Sequence, residues 1–109
     1  MAKLERLLTG NFDRILEQIE NGVLNASVSA SLEDGSDFYY GRDSRCSVRV
    51  FERYSYMGGN RVSMSVTLFQ AGENIHLSAI TSGGSQALFF KVNTFGEEAF
   101  LETLESVLP

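Results

Sequence analysis

The sequence has few of the residues that cross-link or interrupt a polypeptide. Its 109 residues include one cysteine, Cys46, one proline at the last position and no tryptophan. A single thiol cannot form an internal disulfide, so the fold does not depend on an oxidising compartment. The scarcity of proline leaves no proline-rich linker, and the length suits one domain. The sequence therefore predicts a single domain over residues 1–109.

Long apolar runs and an excess of basic residues are also missing. No segment approaches the roughly 18 consecutive apolar residues of a membrane span, and the charges within residues 1–8 are unlike a secretory signal peptide. The formal net charge is −5, whereas proteins that bind nucleic acids or anionic membranes usually carry a basic excess. We therefore expect a cytoplasmic protein with neither a nucleic-acid nor a membrane partner.

What is present is a globular composition in which the apolar residues recur with two different periods. Four apolar residues at helical spacing predict a first helix from Phe12 to about Glu20. Asn11 is its expected N-cap, and Asn21-Gly22 is its expected end. Residues 1–8 fit a strand or a helical turn, and both alternatives stay open. The helical stripe consists of Phe12, Ile15, Leu16 and Ile19.

The middle of the chain alternates apolar and polar residues with the period of a strand. This alternation predicts a first strand from Val23 to Leu32. A loop over Glu33–Ser44 is expected next, with Phe38-Tyr39-Tyr40 folding back over the core. Turns rich in glycine separate the remaining strands. These strands are predicted at Cys46–Tyr56, Arg61–Phe69, Ile75–Thr81 and Ala87–Val92.

A second helix is predicted at the end of the chain. Thr94-Phe95-Gly96-Glu97 has the form of a capping box, and apolar residues follow it at helical spacing. Short connections between the strands indicate an antiparallel meander, and each helix has one apolar face. The sequence therefore predicts a two-layer α+β fold. An antiparallel meander sheet of four to six strands would carry the N-terminal and C-terminal helices on one face.

The polar face of this predicted sheet is the candidate functional surface. Small hydroxyl side chains leave room for a ligand, and three arginines offer donors suited to a carboxylate or phosphate. The leading hypothesis is a non-enzymatic binding module for a small anionic or amphipathic ligand. The candidate ligand-binding residues are Arg49, Arg53, Arg61, Ser63, Ser65, His76 and Ser78.

Two alternatives remain open for the same face. A homodimer could form through it, anchored by Phe51, Phe69 and Ile80 with hydroxyl groups hydrogen-bonding around them. An antiparallel sheet can also have one face that is polar only because water wets it.

No catalytic or metal-binding set is identified in the sequence. His76 and Ser78 share a strand face, but no acidic residue is placed to orient the histidine as a base. One histidine and one cysteine are too few for a zinc site within one chain. Cys46 is in phase with the valines of its strand, so we expect it to be buried as a small hydrophobe. No cofactor is predicted, and an enzymatic activity is the third-ranked hypothesis.

Four segments resemble a family of small uncharacterised bacterial proteins, a domain of unknown function. The resemblance implies a bacterial, cytosolic protein and carries no activity, cofactor or functional residue. The segments are Ser29-Ala30-Ser31-Leu32-Glu33-Asp34, Arg49-Val50-Phe51-Glu52-Arg53-Tyr54-Ser55, Gly58-Gly59-Asn60-Arg61-Val62-Ser63 and Ser78-Ala79-Ile80-Thr81-Ser82-Gly83-Gly84-Ser85-Gln86.

Overall fold

The computed structural model describes the backbone of residues 1–55, 60–83 and 90–109, and their side chains except those of 55, 60 and 90–95. Within these ranges the strands form one antiparallel sheet in the order β1-β5-β4-β3-β2. Both helices lie against one face of it, which confirms the predicted α+β class. The elements are β1 (Ala2–Leu8), α1 (Phe12–Asn25), β2 (Ser31–Tyr40), β3 (Ser44–Ser55), β4 (Asn60–Ala71), β5 (Asn74–Gly83) and α2 (Phe90–Glu105).

The core lies between the helices and the inner strands of the sheet, chiefly β4 and β5. Alternate residues of both strands are buried, as a sheet with one covered face requires. The helices contribute the apolar stripes that cover them. The core residues include Val62, Met64, Val66 and Leu68 of β4, Ile75, Leu77 and Ala79 of β5, Phe12, Ile15, Leu16, Ile19 and Val23 of α1, and Phe100, Leu101 and Leu104 of α2.

Helix α1 begins where the sequence predicts and ends later. The side chain of Asn11 caps it by accepting a hydrogen bond from the Arg14 amide at 2.9 Å. The helix then continues through Asn21-Gly22 to Asn25, so both the predicted end and the predicted strand over residues 23–30 were wrong. Val23 explains the difference, because it is fully buried and extends the apolar stripe by another turn.

Strand β2 occupies most of the segment that was predicted to be a loop. It pairs with β3 along Ser31–Tyr40, with a bulge between Leu32 and Asp34. It is an edge strand that is exposed along nearly its whole length, so its sequence lacks the apolar alternation of a covered strand. Phe38 and its two tyrosine neighbours are exposed and do not fold over the core.

The two ends of the chain also differ from the prediction. Residues 2–8, which were left open, form strand β1 against β5. Helix α2 begins at Phe90, so the predicted strand was wrong over residues 90–92, and its residues 87–89 lie outside the described ranges. The predicted capping box lies inside the helix. Its Glu97 is buried, and its carboxylate accepts from the Gly83 amide at 2.8 Å and the Met1 ammonium at 2.7 Å.

Strands β3, β4 and β5 follow the predicted meander closely. The turn between β4 and β5 contains Gly72 at a φ of 64°, a conformation that glycine adopts without strain. Most of the predicted turns at 58–60 and 82–86 lies outside the described residues. None of the helices in the described part of the chain is long and apolar enough to cross a membrane.

Candidate functional site

The sheet face opposite the helices, which we call the open face, carries the candidate site. Directly paired residues of antiparallel strands project to the same side, so the strand register assigns each side chain to a face. Rows of side chains cross the open face, and the four at its centre contain most of the candidate residues. Three of them are Leu7–His76–Phe69–Cys46–Phe38, Glu5–Ser78–Thr67–Val48–Ser36 and Lys3–Ile80–Ser65–Val50–Asp34. The fourth is Ser82–Ser63–Glu52–Ser31.

The first of these rows, which we call the apolar row, concentrates exposed hydrophobic surface. Leu7 is 62% exposed, Phe38 is 63% exposed and Phe69 on the central strand is 43% exposed. The Phe69 and His76 rings are 6.3 Å apart between centroids and tilted by 31°. A line of four apolar side chains, interrupted on β5 by His76, therefore runs across the sheet and is accessible to a partner.

Two shallow depressions flank Phe69. The larger, about 370 Å³, is lined by Glu5, Arg6, Leu7, Thr67, Phe69, His76, Leu77 and Ser78. The smaller and more apolar one is lined by Phe38, Tyr39, Tyr40, Ser44, Arg45, Cys46 and Phe69. Phe69 therefore lies between a depression of mixed polarity and a more apolar one.

The charged groups of the open face on β1, β3 and β4 are paired with one another. Arg61 donates from Nε to Glu52 Oε1 at 2.8 Å, and Lys3 lies 3.3 Å from Glu5. The hydrogen bond from Arg61 lowers the pKa of the Glu52 carboxyl and raises the pKa of the arginine. These four side chains therefore add no net charge to the face.

Several of the predicted site residues lie on the open face. Ser63, Ser65 and Arg61 of β4 project there, together with His76 and Ser78 of β5. So do two of the three predicted interface anchors, Phe69 and Ile80, the latter 40% exposed.

The placement of the other three residues on the open face was wrong. Arg49, Phe51 and Arg53 project toward the helices, and Phe51 is fully buried. The register explains this, because Phe51 pairs with the buried Met64 of β4. Consequently Cys46, which was expected to be buried, lies partly exposed on the open face together with the valines of β3.

Arg49 joins three elements on the helix side of the sheet. Its guanidinium donates to Glu20 of α1 at 2.8 Å and to Asp37 of β2 at 3.1 Å. The Ser47 hydroxyl also donates to Asp37, at 2.5 Å. These bonds, first from Ser47 and then from Arg49, hold the pKa of Asp37 below its usual value. Arg49 is thus engaged by the protein's own carboxylates.

The other two arginines of this side of β3 pack on aromatic rings. The Arg45 guanidinium lies 4.0 Å from the centroid of Phe12 and 4.8 Å from that of Tyr39. Arg53 lies 4.6 Å from the centroid of Phe100 and donates to a threonine hydroxyl of α2. Arginine stems can cover apolar surface in this way, which explains why polar residues of β3 face the helices.

The described residues place His76 and Ser78 together with Glu5 in the larger depression. Their hydrogen bonds include none that joins His76 to Ser78 or to Glu5. No group of three or more histidine, cysteine, aspartate or glutamate side chains within the described ranges is arranged to hold a metal ion.

Leu7, Cys46 and Phe38 are the members of the site that sequence reasoning missed. Leu7 belongs to a segment whose secondary structure was ambiguous, and Phe38 to a segment predicted as a loop. Cys46 was missed because the sequence predicted that it would be buried together with the valines of β3. A signal for Phe38 existed in the run Phe38-Tyr39-Tyr40, because aromatic residues are enriched in strands.

Comparison with known proteins identifies the family and no function. A model of DUF6054, a family of unknown function, matches residues 1–109, so the chain belongs to this family. No curated protein and no solved structure matches the chain significantly. What the domain does must therefore be argued from the open face.

Proposed function

We propose that this chain is a non-enzymatic interaction domain that pairs with a second copy of itself through the open face. The observation that carries the proposal is the apolar row, which leaves Leu7, Phe69 and Phe38 exposed on one uncovered surface. Exposed apolar side chains that lie in one contiguous line are typical of a surface that a partner covers.

Charge supports a second copy as the partner. The chain has a net charge of −5, so two copies repel each other over most of their surfaces. On β1, β3, β4 and β5 the open face is different, because Lys3 pairs with Glu5 and Arg61 pairs with Glu52. Apart from Asp34 on the edge strand β2, two copies can approach through this face without bringing unpaired like charges together.

The size of the face also suits a dimer. Five strands spaced about 4.8 Å apart and about ten residues long at 3.3 Å per residue span roughly 24 by 33 Å. This corresponds to about 800 Å² per copy, the area that a stable interface of standard size buries on each partner. Isologous pairing of one face is also the commonest symmetry of homo-oligomers.

A native mass spectrum of the wild-type protein and two matched variants tests the proposal. Phe69→Glu places a charge in the middle of the face and should weaken the dimer about 100-fold or more. Val28→Glu makes a similar apolar-to-acidic change at a fully exposed residue outside the face, so it should leave the dimer intact. A monomeric wild-type protein, or equal effects of the two variants, would contradict the proposal.

The larger depression supports a second candidate, a small amphipathic ligand. Its lining combines Leu7 and Phe69 with His76, Ser78 and Thr67, and its size lies within the range of small-molecule sites. The case for an anionic ligand is weaker than in the sequence-based hypothesis, because Glu5 lines the depression and Arg49 pairs with carboxylates elsewhere. In the same native spectrum, a monomer with a discrete extra mass favours this candidate over the dimer.

We further propose that the protein acts in the bacterial cytoplasm. The single cysteine and the resemblance of four segments to bacterial proteins support this location. Fractionation of the source cells with an antibody against the chain tests it, and recovery outside the cytosol would contradict it.

A further inference from the structure

The registers of the open face also constrain how two copies would pair, an inference that rests on the proposed homodimer. Two sheets that pack face to face in the aligned arrangement keep their strands within about 30° of each other. The two-fold axis then lies between the sheets and runs either along the strands or across them. These two arrangements bring different rows together.

An axis along the central strand β4 turns each row onto itself in reverse order. The sheet order β1-β5-β4-β3-β2 then sets β5 against the partner's β3 and β1 against the partner's β2. In the apolar row, Phe69 meets the partner's Phe69 and His76 meets the partner's Cys46. Leu7 meets the partner's Phe38 at the end of the row. All the exposed apolar side chains of the row are covered together.

The third row is complementary under the same operation. Ile80 faces the partner's Val50, so an exposed apolar side chain meets another apolar one. Lys3 faces the partner's Asp34 at the edge of the sheet, so opposite charges meet. Opposite charges at the rim of an interface favour one register over others.

An axis across the strands gives a poorer match. Placed near the middle of the face, it turns the sheet end for end, so the apolar row faces a polar row of the partner. Placed over the apolar row, which lies near one end of the face, it sets that row on itself but leaves the rows of Ser65 and Ser63 without a partner. When the axis lies over the row of Glu5 and Thr67, Lys3 faces the partner's Leu7. Asp34 then faces the partner's Phe38. A charge desolvated against an apolar side chain is unfavourable. We propose that the two-fold axis of the homodimer runs along β4.

Disulfide trapping distinguishes the two axes. With the axis along β4, His76→Cys creates a thiol that faces the partner's Cys46, and facing residues of packed sheets can form a disulfide. The single native Cys46 of each copy would be about two strand spacings, roughly 10 Å, to the side of the partner's Cys46. Within one chain, β4 separates positions 76 and 46, so a disulfide inside the monomer is also too long.

After mild oxidation, His76→Cys should give a covalent dimer on a non-reducing gel. The wild-type protein should not, and neither should His76→Cys combined with Cys46→Ala. Equal cross-linking of that double variant would mean that like residues meet, which would overturn the axis along β4. So would the absence of any cross-link in His76→Cys if sedimentation shows it to be a dimer. A wild-type protein that sediments as a monomer contradicts the proposed function itself.

Charge reversal provides a second test that needs no cysteine. Lys3→Asp and Asp34→Lys should each weaken the dimer about 5-fold, because each changes two rim pairs per dimer. The two changes combined should restore the wild-type affinity. A double variant that is weaker than both single variants would contradict the proposed axis.

Discussion

Replacing Gly22 with alanine should destabilise the fold, although alanine is the better helix former. An ideal Cβ at Gly22 would clash with Val107 Cγ1 and lie 2.7 Å from Val107 Cβ. Carbon atoms normally pack about 3.5–4.0 Å apart, so Val107 would have to move by about 1 Å. Such overpacking costs about 1–3 kcal/mol, whereas alanine gains about 1 kcal/mol in helix propensity. We expect a net loss of about 1 kcal/mol.

Urea unfolding followed by circular dichroism measures this effect at one fixed protein concentration, because dimerisation would make stability depend on concentration. Val107→Gly removes every side-chain atom that the new Cβ would meet. In that background Gly22→Ala should stabilise the protein by about 0.5–1 kcal/mol. Asn21→Ala, an exposed change on the same helix, serves as the control for propensity. If Gly22→Ala stabilises both backgrounds equally, the close contact does not exist.

Two further predictions concern the arginines on the helix side of β3. Asp37→Asn removes the charge to which Arg49 and Ser47 donate hydrogen bonds. It should lower the free energy of unfolding by about 1 kcal/mol at neutral pH. Because the hydrogen bonds from Ser47 and Arg49 lower the pKa of Asp37 in the folded state, the difference in stability from wild type should shrink in urea titrations as the pH falls below about 3.8, the usual pKa of the group. Arg45→Ala should cost about 1–2 kcal/mol through lost stacking on two rings. Arg42→Ala, at an exposed turn, should change thermal stability little. Equal effects of Arg45→Ala and Arg42→Ala would contradict the stacking role of Arg45.

The parts of the fold that the sequence predicted correctly are those with clean periodicity. Strands β4 and β5 have one covered and one open face, so their apolar and polar residues alternate. The start of α1 carries both an apolar stripe and the Asn11 cap. In each of these elements local propensity and tertiary packing favour the same structure.

The errors arose where packing between distant segments decides the structure. Asn21-Gly22 is a typical helix end, but Gly22 sits against Val107, which is distant in sequence. The edge strand β2 has no covered face, so it has no apolar alternation to detect. On β3, hydrophobicity alone favours burying the valines, yet ion pairs and ring stacking hold the arginines on the helix side.

The candidate site was therefore predicted only in part. The residues of β4 and β5 were assigned to the correct face because their strand phase was correct. Those of β3 were assigned to the opposite face, since an error of one residue in a strand's phase reverses every side chain. With β1 ambiguous and β2 predicted as a loop, the apolar row could not be recognised from the sequence.

The reactivity of Cys46 toward a thiol reagent tests the central claim most directly, because this residue lies on the open face beside Phe69. If the face pairs with a second copy, the wild-type thiol should react slowly at high protein concentration and faster on dilution, as dimers dissociate. Phe69→Glu should react at a rate that does not change with protein concentration, while Val28→Glu should show the same concentration dependence as the wild type. A rate that is independent of concentration and equal in all three proteins would contradict the account.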